Sequence, residues 1–496
     1  MVSFKYNGIS ALTLSEKITT PSFCMTKDGT TLYVPLFNGD AGEVITFDGY
    51  KYTLGTFKID NLRMAISRII GKQVVKVCCS LSTTWYIDDN NDLYGCGKGS
   101  HGQQGSGDTE NVLTFTKRAS NVKEVVCSAY TTWYIDNNNN LYGCGEGSFG
   151  QQGSGDTSNV LTFTKRASNV KEVSCSMYTT WYITDSGDLY GRGNSYYDQT
   201  FIKRASNVKE FSCSNSSTTW YIDNNNNLYG CGNNYYGNQG SGDGVDVLAF
   251  TKRASNVKVV ACSEDTTWYI DNNNNLYGCG KGSSGQQGSG DTSNVSTFTK
   301  RASNVKEVVC SEDTTWYITD SGDLYGCGEN TYFGQQGSGD RENVLTFTKR
   351  ASNVKEVVCS EDTTWYIDNN NNLYGCGKGS SGQQGSGGTL SVLTFTKRAS
   401  NVKEVACSDD TTWYIDNNNN LYGCGRNHAG QQGSGDRENV STFTKRASNV
   451  KEVSCSQYTT WYINNNNNKL YGCGDSFYGQ QGSGDTESVL TFTEKG

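Results

Sequence analysis

Short apolar segments alternate with polar turns along this chain, in a unit that recurs nine times. In one copy, β-branched and aromatic residues are concentrated in four segments, residues 122–128, 131–136, 141–145 and 160–165. Asn, Gly and Ser are concentrated between them. Such composition favours strands separated by turns. Each unit is therefore predicted to form four short β-strands, named A to D here.

Each copy carries one tryptophan in its predicted strand B, and together these are all the tryptophans of the chain: Trp85, Trp133, Trp181, Trp220, Trp268, Trp316, Trp365, Trp413 and Trp461. A period near 48 residues indicates a repeat architecture. Four strands with glycine-rich corners are typical of a β-propeller blade. We expect an all-β protein with about nine four-stranded blades over residues 74–496. Because propellers usually have about four to eight blades, ring closure stays open at this point.

Residues 1–73 lack the repeat and predict a small β-rich segment that anchors or caps the array. Residues 27–29, Lys-Asp-Gly, read as a hairpin turn that leads into a strand. Asp-Gly at 48–49 predicts a second hairpin between residues 44–47 and 50–53. Residues 61–70 are predicted to form a short helix.

Two polar stretches of the unit resemble ligand-binding loops but are better explained as turns. The Asn run at 137–140 lacks the glycine and the bidentate glutamate of a calcium loop, and Asn suits tight hairpins. The loop Gly-Gln-Gln-Gly-Ser-Gly-Asp at 150–156 lacks the lysine and the following helix of a phosphate cradle. Both are therefore predicted to be structural.

Composition and charge limit the possible partners and compartments. The net charge is −8 and no basic block occurs, which argues against nucleic acid as the main partner. The chain has no apolar run long enough for a membrane-spanning helix. Its first residues lack the apolar core of a signal peptide. We therefore expect a cytoplasmic or virion-associated protein.

The chain has 19 cysteines, of which nine precede the A–B turn and eight lie in Gly-Cys-Gly at the end of strand C. Arg192 replaces the second cysteine in repeat three, so Cys175 would have no partner within its repeat. This favours small, buried, reduced thiols over disulfides within each repeat. The spacing of 17 residues also matches no usual zinc site.

Catalysis is not indicated by the residues present. The only two histidines, His101 and His428, lie at irregular positions in the loops that follow strand C. They cannot be combined with confidence into a Ser-His-Asp or Cys-His arrangement. We expect a non-enzymatic protein without a cofactor or metal.

The order of the motifs resembles the regulator-of-chromosome-condensation repeat family. Ser-x-x-Thr-Thr, Leu-Tyr-Gly-Cys-Gly and Gly-Gln-Gln-Gly-Ser-Gly-Asp occur where that family has Gly-x-x-His-Thr, Val-Tyr-x-Trp-Gly and Gly-Gln-Leu-Gly-x-Gly-Asp. The resemblance covers residues 74–496 and implies a propeller, usually of seven blades. This chain departs from it in its nine copies, in the missing His-Thr step and in the absence of proline from the repeats.

The nine copies differ mainly in two short windows. One lies between Cys-Ser and Thr-Thr, in the A–B turn, and the other follows Gly-Cys-Gly. In an antiparallel blade both windows fall at the same end, and the Asn turns fall at the other. Variation is therefore predicted on one face of the disc, where loops commonly carry binding. Drift in solvated turns is the alternative explanation.

This variable face is predicted to be asymmetric. Repeats five to eight contribute acidic residues, while the other repeats contribute aromatic and small polar ones. Exposed aromatics are typical of protein interfaces. The candidate partner-binding residues are Tyr130, Tyr178, Tyr196, Tyr197, Tyr235, Tyr236, Glu264, Asp265, Glu312, Asp313, Tyr332, Phe333, Glu361, Asp362, Asp409, Asp410, Tyr458, Phe477 and Tyr478.

These observations favour a non-catalytic binding or scaffold propeller with a protein partner. A head followed by near-identical repeats also suggests a phage virion component or a bacterial surface-recognition protein. Regulation of a small GTPase, as by nucleotide exchange, is the alternative that the family resemblance implies. A third alternative is a cell-surface glycan that stacks on the exposed tyrosines.

Overall fold

The computed structural model describes residues 73–80, 82–176, 178–193, 200–213 and 218–495, and the backbone of six strands in the first 72 residues. Two compact units are distinguished, Met1–Lys72 and Gln73–Gly496. The predicted helix at 61–70 lies outside the described residues.

Three antiparallel strand pairs form the regular structure described in the first unit. Both predicted hairpins occur there, across residues 27–29 and across residues 48–49. The six strands are Ser3–Tyr6, Ile9–Thr13, Cys24–Met25, Leu32–Tyr33, Val44–Phe47 and Tyr50–Thr53.

The second unit is a ring of nine blades, and each blade is one sheet of four consecutive antiparallel strands in the order A-B-C-D. The A strands are Val74–Cys79, Val122–Cys127, Val170–Cys175, Val208–Cys213, Val257–Cys262, Val305–Cys310, Val354–Cys359, Val402–Cys407 and Val450–Cys455. The B strands are Thr83–Asp88, Thr131–Asp136, Thr179–Thr184, Thr219–Asp223, Thr266–Asp271, Thr314–Thr319, Thr363–Asp368, Thr411–Asp416 and Thr459–Asn464.

The two outer strands of each blade follow the same pattern. The C strands are Leu93–Gly97, Leu141–Gly145, Leu189–Gly193, Leu228–Gly232, Leu276–Gly280, Leu324–Gly328, Leu373–Gly377, Leu421–Gly425 and Leu470–Gly474. The D strands are Val112–Ala119, Val160–Ala167, Ile202–Ala205, Val247–Ala254, Val295–Ala302, Val344–Ala351, Val392–Ala399, Val440–Ala447 and Val489–Lys495.

The hydrophobic core lies between the blades. In one interface Trp133, Ile135 and Leu141 of blade 2 pack against Val170 and Tyr182 of blade 3. The tryptophan edge also meets a phenylalanine ring of the next blade, with 5.8 Å between the ring centroids of Trp133 and Phe201, the residue just before strand D. A buried tryptophan contributes several kcal/mol through the area it removes from water, of the order of 3–5 kcal/mol on truncation. The tryptophans are therefore packing residues.

The same contacts join blade 9 to blade 1 and close the ring. Trp461 packs in one cluster with Val74 and Tyr86. The ring of Phe115 lies 5.9 Å from that of Trp461, as in the other interfaces. Each described blade is formed by four consecutive strands, so no blade combines strands from the two ends of the chain. The ring is therefore closed by the packing of blade 9 against blade 1. The open question of ring closure is answered by a closed ring of nine.

The glycine in the middle of strand C is required by the tryptophan beside it. The indole of Trp316 lies flat across Gly326, where a Cβ atom would come within 2.4 Å of the ring. The equivalent glycines of the other blades meet their own tryptophans in the same way. Strand C therefore cannot carry a side chain at this point without displacing the core.

The two polar stretches are structural, as predicted. In the Asn turn, Asp136 accepts hydrogen bonds from the backbone N–H of Asn138 and Asn140, and Asn139 has a φ of 58°. The carbonyl of Asn139 accepts the N–H of Val170, so the turn also contacts the next blade. Asn tolerates this left-handed conformation better than most residues.

The glycine-rich loop contacts the neighbouring blade. Gly107 donates its N–H to the carbonyl of Leu161, which lies on strand D of the next blade. Within the loop, the side-chain amide of Gln104 donates to the carbonyl of Cys96. Leu161 also packs on Gly102. The loop therefore adds a peripheral contact between blades to the central one.

Repeat three has lost most of this loop, and the consequence is seen on blade 4. Leu248, the counterpart of Leu161, is 94% exposed. Strand D of blade 3 is also shortened to Ile202–Ala205. The shortened loop of repeat three therefore leaves the outer strand of the following blade uncovered.

We expect Gly326→Ala to lower the free energy of unfolding by about 1–3 kcal/mol, because the added methyl group overpacks the contact with Trp316. Gly388→Ala is the matched control, since a Cβ at Gly388 would meet nothing within 4 Å. Denaturant unfolding followed by tryptophan fluorescence measures both. Equal stability of the two variants would contradict this packing.

Candidate functional site: the variable face

The two variable windows meet on one face of the ring, as strand order predicts. Within a blade, the residue after strand C donates its N–H to the carbonyl at the second position of the A–B window, as Glu146 does to Tyr130 at 3.0 Å. The turn itself is held by a hydrogen bond between the hydroxyls of Ser128 and Thr131, 2.9 Å apart. The positions at which the repeats differ therefore rest on an invariant frame.

The windows also meet across blades, because the loop after strand C reaches the A–B turn of the next blade. The Gln103 side chain donates to the carbonyl of Ala129, and that of Gln286 donates to the Asp313 carboxylate at 3.0 Å. In these blades the loop of one blade therefore adjoins the turn of the next, and the variable face is continuous over them.

The aromatic part of the face contains paired rings. The ring of Tyr130 lies 4.9 Å from that of His101, and the ring of Tyr178 lies 4.8 Å from that of Phe149. The Lys98 ammonium lies over the ring of Tyr130 in blade 2, at 5.8 Å. These rings are half-buried.

The other aromatic candidates differ in their accessibility. Tyr235, Tyr332 and Phe477 are exposed over about two thirds or more of their surface, at 72%, 67% and 65%. Their sequence neighbours Tyr236, Phe333 and Tyr478, together with Tyr458, are half-buried. Tyr196 and Tyr197 lie outside the described residues. Among the described aromatic candidates, these three rings are therefore the most available to a partner.

The acidic residues form two classes that the sequence does not distinguish. Those at the second window position each contact a cation. Lys281 lies 3.6 Å from Asp265 and 3.2 Å from Asp313, so it joins two blades. Lys378 joins Asp362 and Asp410 at 2.9 and 3.4 Å. These acids are neutralised within the ring.

Arg426 extends the same network into blade 9. Its guanidinium lies 3.0 Å from the Asp410 carboxylate and over the ring of Tyr458 at 5.9 Å. A cavity of about 350 Å³ lies beside it, lined among others by His428, Arg437 and Phe477. The aromatic and acidic parts of the face are therefore connected through this arginine.

The acids at the first window position instead line a cavity of about 480 Å³. Glu264, Glu312, Glu361 and Asp409 contribute to its wall, beside Cys213 and Cys262 of two A strands. The A strands of neighbouring blades lie side by side, so this cavity opens along the inner rim of the ring. We call these four side chains the acidic arc.

Mutual repulsion and burial make the acidic arc unfavourable when fully ionised. Burial raises the pKa of Glu361, and the nearby charges of Asp409 and Glu312 raise it further. The pKa of Asp409 is raised by burial and then by Asp362 and Asp410. The pKa of Glu312 is raised by burial and by Asp313. A cationic group placed there would relieve this repulsion.

The cations that pair with these acids were not predicted from the sequence. They lie at the position directly after Gly-Cys-Gly, which is occupied by a cation in some repeats and by an anion or asparagine in others. The residues at this position in the described repeats are Lys98, Glu146, Asn233, Lys281, Glu329, Lys378, Arg426 and Asp475. The change of charge at this position from one repeat to the next could have predicted which acids are paired with a cation. Glu329 shows its effect, since its pKa is raised by burial and by Asp313.

Chemistry beyond binding has little support in the described residues. His101 and His428 lie in blades 1 and 8. The imidazole of His101 lies 3.0 Å from the Ser100 hydroxyl, whereas the backbone carbonyl of His428 accepts a hydrogen bond from Arg437. A search of the described residues for clusters of His, Cys, Asp and Glu with metal-binding geometry finds none. Among these residues no helix has the length and apolarity needed to span a membrane.

We expect Glu361→Gln to stabilise the ring at pH 7 and to have little effect at pH 4. A carboxyl whose pKa is raised by folding binds its proton more tightly in the folded state. The free energy of unfolding therefore falls as pH rises above the ordinary value of 4.5. Gln removes that loss and is already present at this position as Gln457.

Denaturant midpoints of the parent and the variant between pH 4 and 8 provide the measurement. The two curves should meet at the acid end and separate as pH rises. A constant offset at every pH would mean that titration of Glu361 is not the cause.

Comparison with known proteins identifies the repeat. Residues 402–431, from strand A of blade 8 into the loop after its strand C, match the family described as the Regulator of chromosome condensation (RCC1) repeat. The resemblance seen in the motifs is thereby confirmed in blade 8, and the other units of the propeller are close to this one in sequence. No curated protein matches the chain.

Several solved structures resemble the ring at low sequence identity. Human WBSCR16 is 16% identical with a TM-score of 0.46, covering 73% of this chain and 96% of its own. Prp20p from Saccharomyces cerevisiae, described with its binding properties to Gsp1p and histones, is 16% identical with a TM-score of 0.46. That match covers 74% of this chain and 89% of Prp20p.

Proposed function

We propose that this chain, a nine-bladed propeller of regulator-of-chromosome-condensation repeats, is a non-catalytic protein-binding protein that recognises its partner through the variable face. One observation carries the proposal. Most of the positions at which near-identical repeats differ meet one another, within and between blades, on a single face of the ring. Drift alone would be expected to change both faces to the same extent, whereas the Asn turns on the other face, which are also exposed, keep the same residues in most repeats and change only in a few, as at Asp185 and Asp320.

The chemistry of the face suggests what part of a partner it receives. The acidic arc places four carboxylates around one cavity, while the neighbouring acids are already occupied by Lys281 and Lys378. The exposed rings of Tyr235 and Phe477 belong to blades 4 and 9, which adjoin the two ends of the arc. Aromatic anchors beside a field of one sign are typical of protein recognition. We propose that a basic segment of the partner docks at the arc.

The double variant Glu361→Gln/Asp409→Asn should weaken partner binding by about tenfold or more, since each lost charge contributes to a partly desolvated contact. The control is Asp185→Asn/Asp320→Asn on the Asn-turn face. It removes the same two charges and introduces the residue that other repeats carry there, as at Asn137.

The measurement is quantitative affinity capture with parent, variant and control as baits, followed by titration of the captured protein. A partner that is lost with the first variant and retained with the control supports the proposal, as does weaker binding at higher salt. Equal loss with both variants, or retention with both, would overturn the assignment to this face.

Regulation of a small GTPase is the first specific partner class to test. The repeat family favours it, and the Prp20p structure, described with its binding to Gsp1p, belongs to the same kind of propeller. A panel of GTPases loaded with fluorescent nucleotide provides the assay. Faster release that disappears in Glu361→Gln/Asp409→Asn supports this class. Unchanged release across the panel removes it and leaves the broader proposal standing.

The remaining sequence-based hypotheses gain no support. The comparisons contain nothing that favours a phage virion role, and nothing that favours a glycan ligand. We therefore propose neither. Binding to a glycan array that disappears when Tyr235 and Tyr332 are replaced by alanine would reverse this choice for the glycan.

A further inference from the structure

A circle of cysteines runs around the inner wall of the ring. The last residue of strand A is cysteine in each blade, and neighbouring members of the set lie close enough to interact electrostatically. Two members, Cys213 and Cys262, line the cavity of the acidic arc. This position therefore faces the interior of the ring close to the variable face.

The residue before that cysteine reaches the cysteine of the next blade. The Ser174 hydroxyl lies 3.3 Å from the Cys213 sulfur, and the Ser212 hydroxyl lies 3.4 Å from that of Cys262. Across the closing interface, Ser454 lies 3.3 Å from Cys79. The contact is thus a repeated feature of the fold.

Only blade 1 places a second thiol at this point. Its residue is Cys78, and the Cys78 and Cys127 sulfurs lie 3.0 Å apart. The counterparts of Cys78 in the other blades are Val126, Ser174, Ser212, Ala261, Val309, Val358, Ala406 and Ser454. A pair of facing thiols is therefore unique to the interface of blades 1 and 2.

The pair is suited to disulfide chemistry in position and reactivity. Cys78 and Cys127 are half-buried residues, whereas Cys96 and Cys144 are fully buried and the thiol of each donates to a backbone carbonyl. The hydrogen bond from Cys127 lowers the pKa of the Cys78 thiol against the opposing effect of burial. The same contact, together with burial, raises the pKa of Cys127. Cys78 is therefore the expected nucleophile.

We propose that Cys78 and Cys127 are a thiol–disulfide modification site that can lock blade 1 to blade 2. A disulfide bond is about 2.05 Å long, so the sulfurs need to approach by about 1 Å. The oxidant is a low-molecular-weight disulfide such as oxidised glutathione. The Cys78 thiolate attacks it and releases one glutathione thiolate, and Cys127, on losing its proton, then displaces the second. The protein loses two protons and two electrons, and two glutathione thiols are formed.

The test treats the folded full-length chain with oxidised glutathione, alkylates the remaining thiols after denaturation and maps the peptides without reduction. We expect one linked peptide pair containing Cys78 and Cys127, with two of the 19 cysteines protected from alkylation. Dithiothreitol should restore both. Oxidised protein should also unfold at a higher denaturant concentration than reduced protein.

Cys78→Val is the control, because valine occupies this position in blades 2, 6 and 7 and should preserve the packing. The linked peptide and the gain in stability should both disappear in this variant. Cys79→Ser should retain them, since Cys79 faces Ser454 across the other interface.

Ser174→Cys tests the geometry by gain of function. The new thiol should form a second linked pair with Cys213, because the Ser174 contact repeats that of Cys78. Detection of both pairs supports the proposal. It is overturned if the folded parent gives only glutathione adducts, or if Cys78 links to a cysteine other than Cys127.

Discussion

The structure depends on the packing of one blade against the next through tryptophan. Each indole is covered by its own strand C glycine on one side and by valine, tyrosine and phenylalanine of the next blade on the other. Since a single blade cannot bury both of its faces, no blade is stable without neighbours. The same contact is made at the closing interface, where Trp461 of blade 9 packs with Val74 of blade 1. The ring therefore closes at nine blades.

This constraint explains where the sequence is free to change. The tryptophan, the strand C glycines and the Asn turn all take part in contacts that recur around the ring, and changing one would disturb an interface. The two windows of the variable face rest on backbone hydrogen bonds, such as that between Glu146 and Tyr130, which most residues can make. Charge can accordingly differ from blade to blade while the fold is retained.

Much of this could be predicted from the sequence, because it is local. Strand boundaries, the Asn and glycine turns and the common face of the two windows follow from residue type and strand order. Ring closure could not be predicted, since it depends on an angle between blades that accumulates over nine interfaces. The sequence also did not predict that the acids of the first and second window positions have different surroundings. Asp265 and Glu264 are adjacent in sequence, yet Asp265 shares Lys281 with Asp313 whereas Glu264 lines the cavity.

Closure of one ring by nine equivalent interfaces, with most of the variation between repeats on a single face, is the feature on which the rest of the structure depends. Electron cryomicroscopy of the purified chain tests it most directly, through averaged views along the ring axis. We expect nine blades at equal spacing, with blade 3 shortened at its periphery, where the glycine-rich loop is reduced. An open arc, or a ring with fewer blades and unpacked repeats outside it, would contradict closure by nine equivalent interfaces.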